Sequence, residues 1–180
     1  ANKLIAVLSL ILPTYNEANN LPELLPLIRE AMGDSDYEVI VVDDNSPDGT
    51  WQVAQDLAKS DPHLHIIRRF GRRGLSSAVV EGFLAAKGDV LAVCDADGQH
   101  DLLLLPQLYQ AVQEGANLAI GSRYVDGGSV GEWDERRYAL SRIATDLAIR
   151  LCKVHVNDPM SGFFAIDRST FEAALPKLNP

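Results

Sequence analysis

The feature that most constrains this 180-residue chain is a near-regular alternation of short apolar runs with amphipathic stretches. The runs Leu4–Leu12, Tyr37–Val42, His63–Ile67, Asp89–Cys94, Leu118–Ile120 and Phe163–Ile166 read as strands. Between them, Ala18–Met32 reads as a helix whose apolar stripe is Leu21, Leu24, Leu25 and Ile28. Asp48–Lys59 reads as a second helix capped by Asp48, and Leu75–Ala86 as a third closed by Gly88. Leu103–Gln113 is a fourth; a Gly-rich loop at Val125–Gly131 precedes a long helix over Arg136–Lys153, and a short helix ends the chain. Strands that are apolar nearly throughout are covered on both faces. Strand–helix alternation of this kind predicts an α/β fold with a mostly parallel central sheet and helices on both sides. At 47% apolar residues, the whole of 1–180 suits one domain with one layered core.

A net charge of −9 excludes nucleic acid as a general partner, since binders of phosphate backbones are basic. Two positive islands stand out against that acidic background. Arg68, Arg69, Arg72 and Arg73 fall within six residues, and Arg136, Arg137, Arg142, Arg150 and Lys153 are opposed only by Asp146. Such islands point to local work on anions. Cys94 and Cys152 have apolar neighbours and no metal-ligand spacing, so they read as buried free thiols of a reducing compartment. No apolar run reaches the roughly 18 residues needed to span a bilayer. The chain stops at Leu178-Asn179-Pro180 just after a helix-like segment, so a longer protein with a membrane segment beyond residue 180 is expected.

In parallel sheets, ligands bind on the loops at the carboxyl ends of the strands. Here those loops read Pro13-Thr14-Tyr15-Asn16-Glu17, Asp43-Asp44-Asn45-Ser46-Pro47-Asp48-Gly49-Thr50 and Asp95-Ala96-Asp97-Gly98-Gln99-His100. Crowded carboxylates resist ionisation unless a cation or hydrogen-bond donors compensate. A hard divalent cation held by Asp97 and Gln99, with water and substrate phosphate completing its shell, would do so. If the backbone stays extended, the spacing of two places Asp95 and Asp97 on one side of the strand end. Neither a GxGxxG turn after the first strand nor a GxxxxGK[ST] loop is present, which excludes a Rossmann dinucleotide site and a P-loop. Gly71-Arg72-Arg73-Gly74 opens a helix, so backbone amides and guanidinium groups there can hold a diphosphate.

The segments LPTYNEANNLPELL, VVDDNSPDGT, GRRGLSSAVVEGF, DADGQH, GSRYVDGG and DPMSGFFAIDR follow one another from about Leu10 to Arg168. In this order they resemble the family-2 glycosyltransferases of GT-A fold, and more narrowly the dolichol- or polyprenol-phosphate mannose synthases and their glucosyl relatives. The resemblance implies a three-layer, Rossmann-like GT-A sandwich and transfer of a hexose, most closely mannose from GDP-mannose, to a polyprenyl or dolichyl monophosphate with inversion. A UDP-glucose donor shares most of the same motifs. By position, the resemblance implies that Pro13, Tyr15 and Glu17 line the nucleotide pocket with Val42 and Asp44 near the base. Asp95 would face the nucleotide or metal, and Asp95, Asp97 and Gln99 would seat Mg²⁺ or Mn²⁺ on the diphosphate. Arg123, Arg137 and Ser141 would hold the acceptor phosphate, with Asp97, Arg123 and Arg137 the residues on which catalysis turns. The sequence departs from the pattern at Gly98, where Leu is common, and at Asp101, where Pro is common.

A lipid phosphate is ionised at neutral pH and needs no dedicated base, so the difficulty is bringing two anions together. Arginines on the acceptor and a cation on the diphosphate answer that difficulty. His100 reads as a structural hydrogen-bonding residue rather than a base. A transferase with a soluble acceptor would instead draw a base from Glu132, Asp134 or Glu135. A receiver-type signalling domain would carry its acidic pair after the first strand, where this chain has Pro-Thr-Tyr-Asn-Glu. The helix over Arg136–Lys153, with Leu140, Ile143, Ala144, Leu147 and Leu151 on one stripe, is either core or a surface for lipid headgroups on the cytoplasmic face of a membrane. Lipid chain length and oligomeric state leave no mark in the sequence.

Overall fold

The computed structural model describes residues 7–121 and 161–177. The expected loop Val125–Gly131 and helix Arg136–Lys153 lie outside these residues, as do Arg123, Arg137, Ser141 and Cys152. The chain runs through β1 (Leu8–Thr14), α1 (Leu21–Met32), β2 (Tyr37–Asp43), α2 (Thr50–Ala58), β3 (Leu64–Arg68), α3 (Leu75–Ala85) and β4 (Val90–Val93). A 3₁₀ turn at Leu102–Leu104 then leads into α4 (Leu105–Gln113), β5 (Leu118–Ile120), β6 (Phe164–Asp167) and α5 (Arg168–Ala174). Among the described residues no helix is long and apolar enough to cross a membrane.

The six strands form one sheet in the order β3-β2-β1-β4-β6-β5. β1 lies parallel to β2 and β4, and β2 parallel to β3, while β6 runs antiparallel to both β4 and β5. The sheet is therefore mostly parallel, as the apolar runs predict, with one reversed strand near its edge. Alternation along each strand sorts the side chains into two cores. Leu10, Leu12, Val39, Val41 and Ala92 pack with α1 and α4, and Ile11, Ile40, Val42, Leu91 and Val93 pack with α3 and Phe171 of α5. Helices thus cover both faces, giving the three-layer α/β architecture expected for the GT-A class.

Several boundaries differ from the sequence reading, each for a physical reason. β1 runs two residues further, to Thr14, because its register with β2 pairs Pro13 with Val42 and Thr14 with Asp43. α1 begins at Leu21 rather than Ala18, because Pro22 lacks the amide that would bond back to the Ala18 carbonyl; the Ala18 amide itself is held by the Asp48 carboxylate at 3.0 Å. Asp48 caps α2 from one position outside the formal cap, which is Gly49 at φ 86°. Its Oδ1 accepts the Thr50 amide at 3.0 Å and the Thr50 hydroxyl at 2.6 Å. The start of α4 is tightened into the 3₁₀ turn, where Asp101 accepts the Leu103 amide at 3.0 Å.

Gly88 does not close α3, whose cap is Ala86 in extended conformation. Its small size serves a close crossing at the amino edge of the sheet. A Cβ on residue 88 would lie 2.4 Å from the Val7 carbonyl oxygen and 2.6 Å from Ser9 Oγ. At this crossing Ser9 Oγ donates to the buried Glu38 Oε1 at 2.6 Å and accepts the Gly88 amide at 2.8 Å. The Lys87 amide donates to the same Glu38 oxygen at 2.6 Å, so the buried carboxylate is satisfied by neighbours on two segments. Arg168 clamps the turn by donating to the Ala86 and Gly88 carbonyls. Gly88→Ala is expected to cost about 1–3 kcal/mol, because backbone rather than a flexible side chain must yield. Urea unfolding should show a lower midpoint with an unchanged slope.

Candidate active site

The loops leaving β1 and β2 are bound to each other by buried polar contacts. Asp43, fully buried, accepts the Thr14 hydroxyl at 3.0 Å, the Ser46 amide at 2.8 Å and the Ser46 hydroxyl at 2.5 Å. Ser46 Oγ in turn accepts the Asn16 amide at 3.0 Å, and Thr50 Oγ1 accepts the Glu17 amide at 2.9 Å. Asn16 and Asn45 both adopt left-handed backbone, at φ 63° and 53°, a conformation asparagine tolerates better than most residues. Both strands therefore turn sharply at their carboxyl ends. Of the two adjacent acids, Asp43 is spent on this scaffold, while Asp44, also buried, accepts the Gly74 amide at 2.9 Å and pairs with Arg69.

The nucleotide-pocket residues implied by the resemblance separate into two groups. Tyr15 is exposed, with the Arg73 guanidinium 4.1 Å from its ring centre. Pro13 is half-buried at the end of β1, and Glu17 accepts the Asn20 side-chain amide at 2.5 Å. Asp44 lines an open cleft of about 350 Å³ with Asn45, Gly71, Arg72 and Arg73. Val42 does not reach that cleft: it is fully buried in the core beneath α3.

The first basic island divides into four different environments. Arg68 stacks on Trp51 and Phe70, with its carbon Cζ 3.6 Å and 4.7 Å from the two ring centres, and donates to Asn45 at 2.8 Å. Arg69 is buried and pairs with Asp44 and Glu81. Arg72 is exposed and pairs with Glu81 at 2.8 Å. Arg73 lies over Tyr15. Only Arg72 and Arg73 therefore combine exposure with a position on the cleft.

Asp95 and Asp97 sit at the end of β4, but the chain enters a turn at Ala96, so they do not share one side of an extended strand. The Asp95 carboxylate lies against Gly162, where a Cβ would come within 2.5 Å of Oδ2. The same oxygen is 3.3 Å from His100 Nε2, and the His100 ring packs against Phe163. His100 thus has the structural setting the sequence suggests. Asp97 is exposed; its Oδ1 accepts the Gln99 amide at 3.0 Å, and it borders a second cavity of about 490 Å³ beside α1. Gln99 is exposed, and Gly98 takes φ 73°, which glycine accommodates without strain. Among the described residues no three His, Cys, Asp or Glu side chains converge as a metal-binding group. Cys94 is a buried free thiol, as expected; burial first, and then the charges of Asp95 and Asp97, push its pKa far up.

The supporting roles of Asp43, Ser46, Thr50, Arg69 and Gly162 are not assigned by the sequence reading, which names these residues only within longer segments. Thr14 against Asp43 and Arg68 against Asp43 are register neighbours, so only the strand alignment exposes these roles. Ser161 reinforces the segment behind Asp95 by donating to the Gly121 carbonyl at 2.7 Å.

A mostly parallel sheet between helical layers, with acidic and basic loops at the carboxyl edge of its strands, defines a layered α/β fold whose ligands bind at that edge. The Glycosyl transferase family 2 profile matches residues 9–175, and the chain belongs to that family. It is 47% identical over 174 residues to a dolichol-phosphate mannosyltransferase of Pyrococcus furiosus, covering 96% of this chain and 49% of that protein. It is 42% identical over 166 residues to a polyprenol monophosphomannose synthase of Mycolicibacterium smegmatis, covering 90% of this chain and 62% of that protein. The chain therefore spans about half to three-fifths of these relatives. Among solved structures, the glucosyl-3-phosphoglycerate synthase of Mycobacterium tuberculosis in complex with Mn²⁺, UDP and phosphoglyceric acid shares the fold. Its TM-score is 0.69 at 22% identity, over 91% of this chain and 56% of that one. A mannosyltransferase from Pyrobaculum calidifontis in complex with GDP-Man and Mn²⁺ gives 0.67 at 23%, over 95% and 47%.

Asp48 offers a direct test of the stitched loops. Burial opposes its ionisation, but hydrogen bonds from the Thr50 hydroxyl, the Ala18 amide and the Thr50 amide outweigh this and hold its carboxyl below the usual range. A depressed carboxylate contributes stability above its unfolded pKa and loses it as pH falls through the folded one. Asp48→Asn is therefore expected to destabilise by ~0.5 kcal/mol, the low end of a cap deletion, at neutral pH. Thermal melts from pH 7 to pH 2 should show the gap to wild type closing below about pH 4.

Proposed function

We propose that residues 1–180 form one GT-A catalytic domain that transfers a hexose from a nucleotide diphosphate to a polyprenyl or dolichyl monophosphate. The donor we infer is GDP-mannose, and the outcome inversion at the sugar carbon. One observation carries the reading: in a family-2 chain whose relatives include polyprenyl- and dolichyl-phosphate mannosyltransferases, the carboxyl edge of the sheet bears Asp44 beside a basic loop and Asp95-Ala96-Asp97 at the end of β4.

The proposed division of labour follows from chemistry. Tyr15, Glu17, Asp44 and Arg72 would bind the nucleotide end of the donor, with Pro13 and the backbone near Val42 shaping the floor. Asp95, Asp97 and Gln99 supply hard oxygen donors within one turn, and only one oxygen of the exposed Asp97 is engaged by the protein among the described residues. That set fits Mg²⁺ or Mn²⁺, which takes few protein ligands and completes its shell with phosphate and water. When bound, such an ion neutralises charge that builds on the departing diphosphate. Arg123, Arg137 and Ser141 are proposed to hold the acceptor phosphate. Its oxygen attacks the anomeric carbon opposite the diphosphate; the new C–O bond forms as the bond to the diphosphate breaks, and the nucleoside diphosphate leaves. No proton need be removed from the nucleophile, so positioning and charge neutralisation supply the catalysis.

With Mn²⁺ present, the preferred nucleotide sugar should raise the melting temperature of wild type by mass action. Asp97→Ala is expected to lose that shift and to lower turnover by about 100-fold or more, as loss of a metal-site group does. Near-normal turnover in that variant would remove the metal from the scheme. The proposed membrane partner, met by the arginines and Lys153 of residues 136–153, has its own check. Flotation with anionic liposomes should carry the protein at low salt and release it at high salt, because the attraction is screened within a Debye length.

A further inference from the structure

Arg69 has an environment unlike that of any other arginine described. It is 1% exposed, and its guanidinium reaches four groups on three segments. Nη1 lies 3.2 Å from Asp44 Oδ1 and 3.3 Å from the Gly74 carbonyl, Nη2 donates to Ser77 Oγ at 2.6 Å, and Nε lies 3.3 Å from Glu81 Oε2. Its own amide donates to the Asp43 carbonyl at 2.8 Å. The end of β2, the Gly71–Gly74 turn and the first half of α3 are thus gathered around one cation. Asp44 is held from the other side as well, since its Oδ2 accepts the Gly74 amide at 2.9 Å.

Two atoms in this cluster are left short. Asp44 Oδ1 and Arg69 Nε are buried and attracted to opposite charges, yet neither makes a directed hydrogen bond. Each faces an opposite charge inside the cluster, so the two atoms belong to a buried ion-pair network. Asp44 also lines the open cleft between Asn45, Gly71, Arg72 and Arg73. A ribose hydroxyl or a ring N–H of a base is a neutral donor of the right kind, whereas a diphosphate would be repelled by the carboxylate.

We infer that Arg69 is a positioning residue for recognition of the nucleoside: its buried fork fixes the Asp44 carboxylate on the wall of the cleft so that this wall is preformed for the nucleoside half of the donor. This rests on the nucleotide-sugar reading proposed above. Lysine cannot replace it, because an ammonium is a point charge and cannot span groups that a planar fork meets together. Arg69 touches no ligand in this scheme; its effect passes through Asp44.

The test separates the nucleoside from the phosphates. Binding of GDP, UDP and inorganic pyrophosphate would be measured by calorimetry in Mn²⁺ for wild type, Arg69→Lys and Ser77→Ala, with ligand-free melting curves alongside. Arg69→Lys is expected to weaken the preferred nucleoside diphosphate about tenfold, the effect of losing one charge-assisted contact. Pyrophosphate affinity should stay within about twofold. Ser77→Ala, which deletes one hydrogen bond and no charge, should show the same selectivity at roughly threefold and keeps the question open to answer if the lysine variant does not fold. Equal weakening of all three ligands, or no weakening of any, in the variant that folds would overturn the role assigned to Arg69 while leaving the function intact. Wild type that bound neither nucleoside diphosphate would defeat the nucleotide reading and this inference with it.

Discussion

The geometry of the catalytic edge depends on a carboxylate that faces no solvent. Asp43 lies at the end of β2 with no exposed surface and takes three hydrogen bonds from Thr14 and Ser46. A buried carboxylate is tolerable only when donors surround it, so those bonds are not optional. The strand register determines which donors are available, because Thr14 and Asp43 are direct neighbours across β1 and β2. Once Asp43 is satisfied, both loops have fixed departure points. Asn16 and Asn45 then turn the chain, leaving Tyr15 exposed and Asp44 buried against Arg69 at the edge of the cleft. The scaffold and the candidate ligand-binding groups are therefore adjacent residues with opposite fates.

Arg68, Arg69, Arg72 and Arg73 repeat that lesson with positive charge. As a sequence they form one basic island, yet one stacks on aromatic rings, one is buried among carboxylates, and two reach the cleft. What separates them is where β3 ends. Arg68 is the last residue of the strand and pairs in register with Asp43, so the next residue turns inward under α3 and the following turn carries Arg72 and Arg73 out. Local charge density predicts an anion-handling region; it does not say which guanidinium does structural work.

Strands β2 and β4 are legible because they are buried on both faces and so carry apolar residues at consecutive positions. Helix starts are less legible, since groups beside them are held from other loops. The Ala18 amide is held by Asp48, thirty residues along, outside the helix that begins at Leu21. Glycines are misread for a similar reason. Gly88 looks like a helix stop and is instead a crossing point with β1, and Gly162 looks like part of a motif and is instead the space into which the Asp95 carboxylate fits. The acid-bearing strand ends were visible as a set, but their side-chain directions were not: a turn at Ala96, not an extended strand, orients Asp95 and Asp97.

The charges at this edge are also sorted by strand. The arginines cluster at the end of β3, and among the described residues no Arg or Lys pairs with Asp95 or Asp97 at the end of β4. With the order β3-β2-β1-β4, those ends are three strand spacings apart, roughly 14 Å. An anionic donor lying across that edge is drawn to the β3 side and repelled at the β4 side. On the proposed reading, a divalent cation removes the repulsion only while the diphosphate is present to share it, and the few oxygen donors of the β4 turn hold the cation weakly alone. Each ligand then raises the affinity for the other by the same factor, because coupling free energy is reciprocal. On that reading, the polarity of the sheet edge, set by which strands carry acids and which carry arginines, would make ion and donor arrive as a pair.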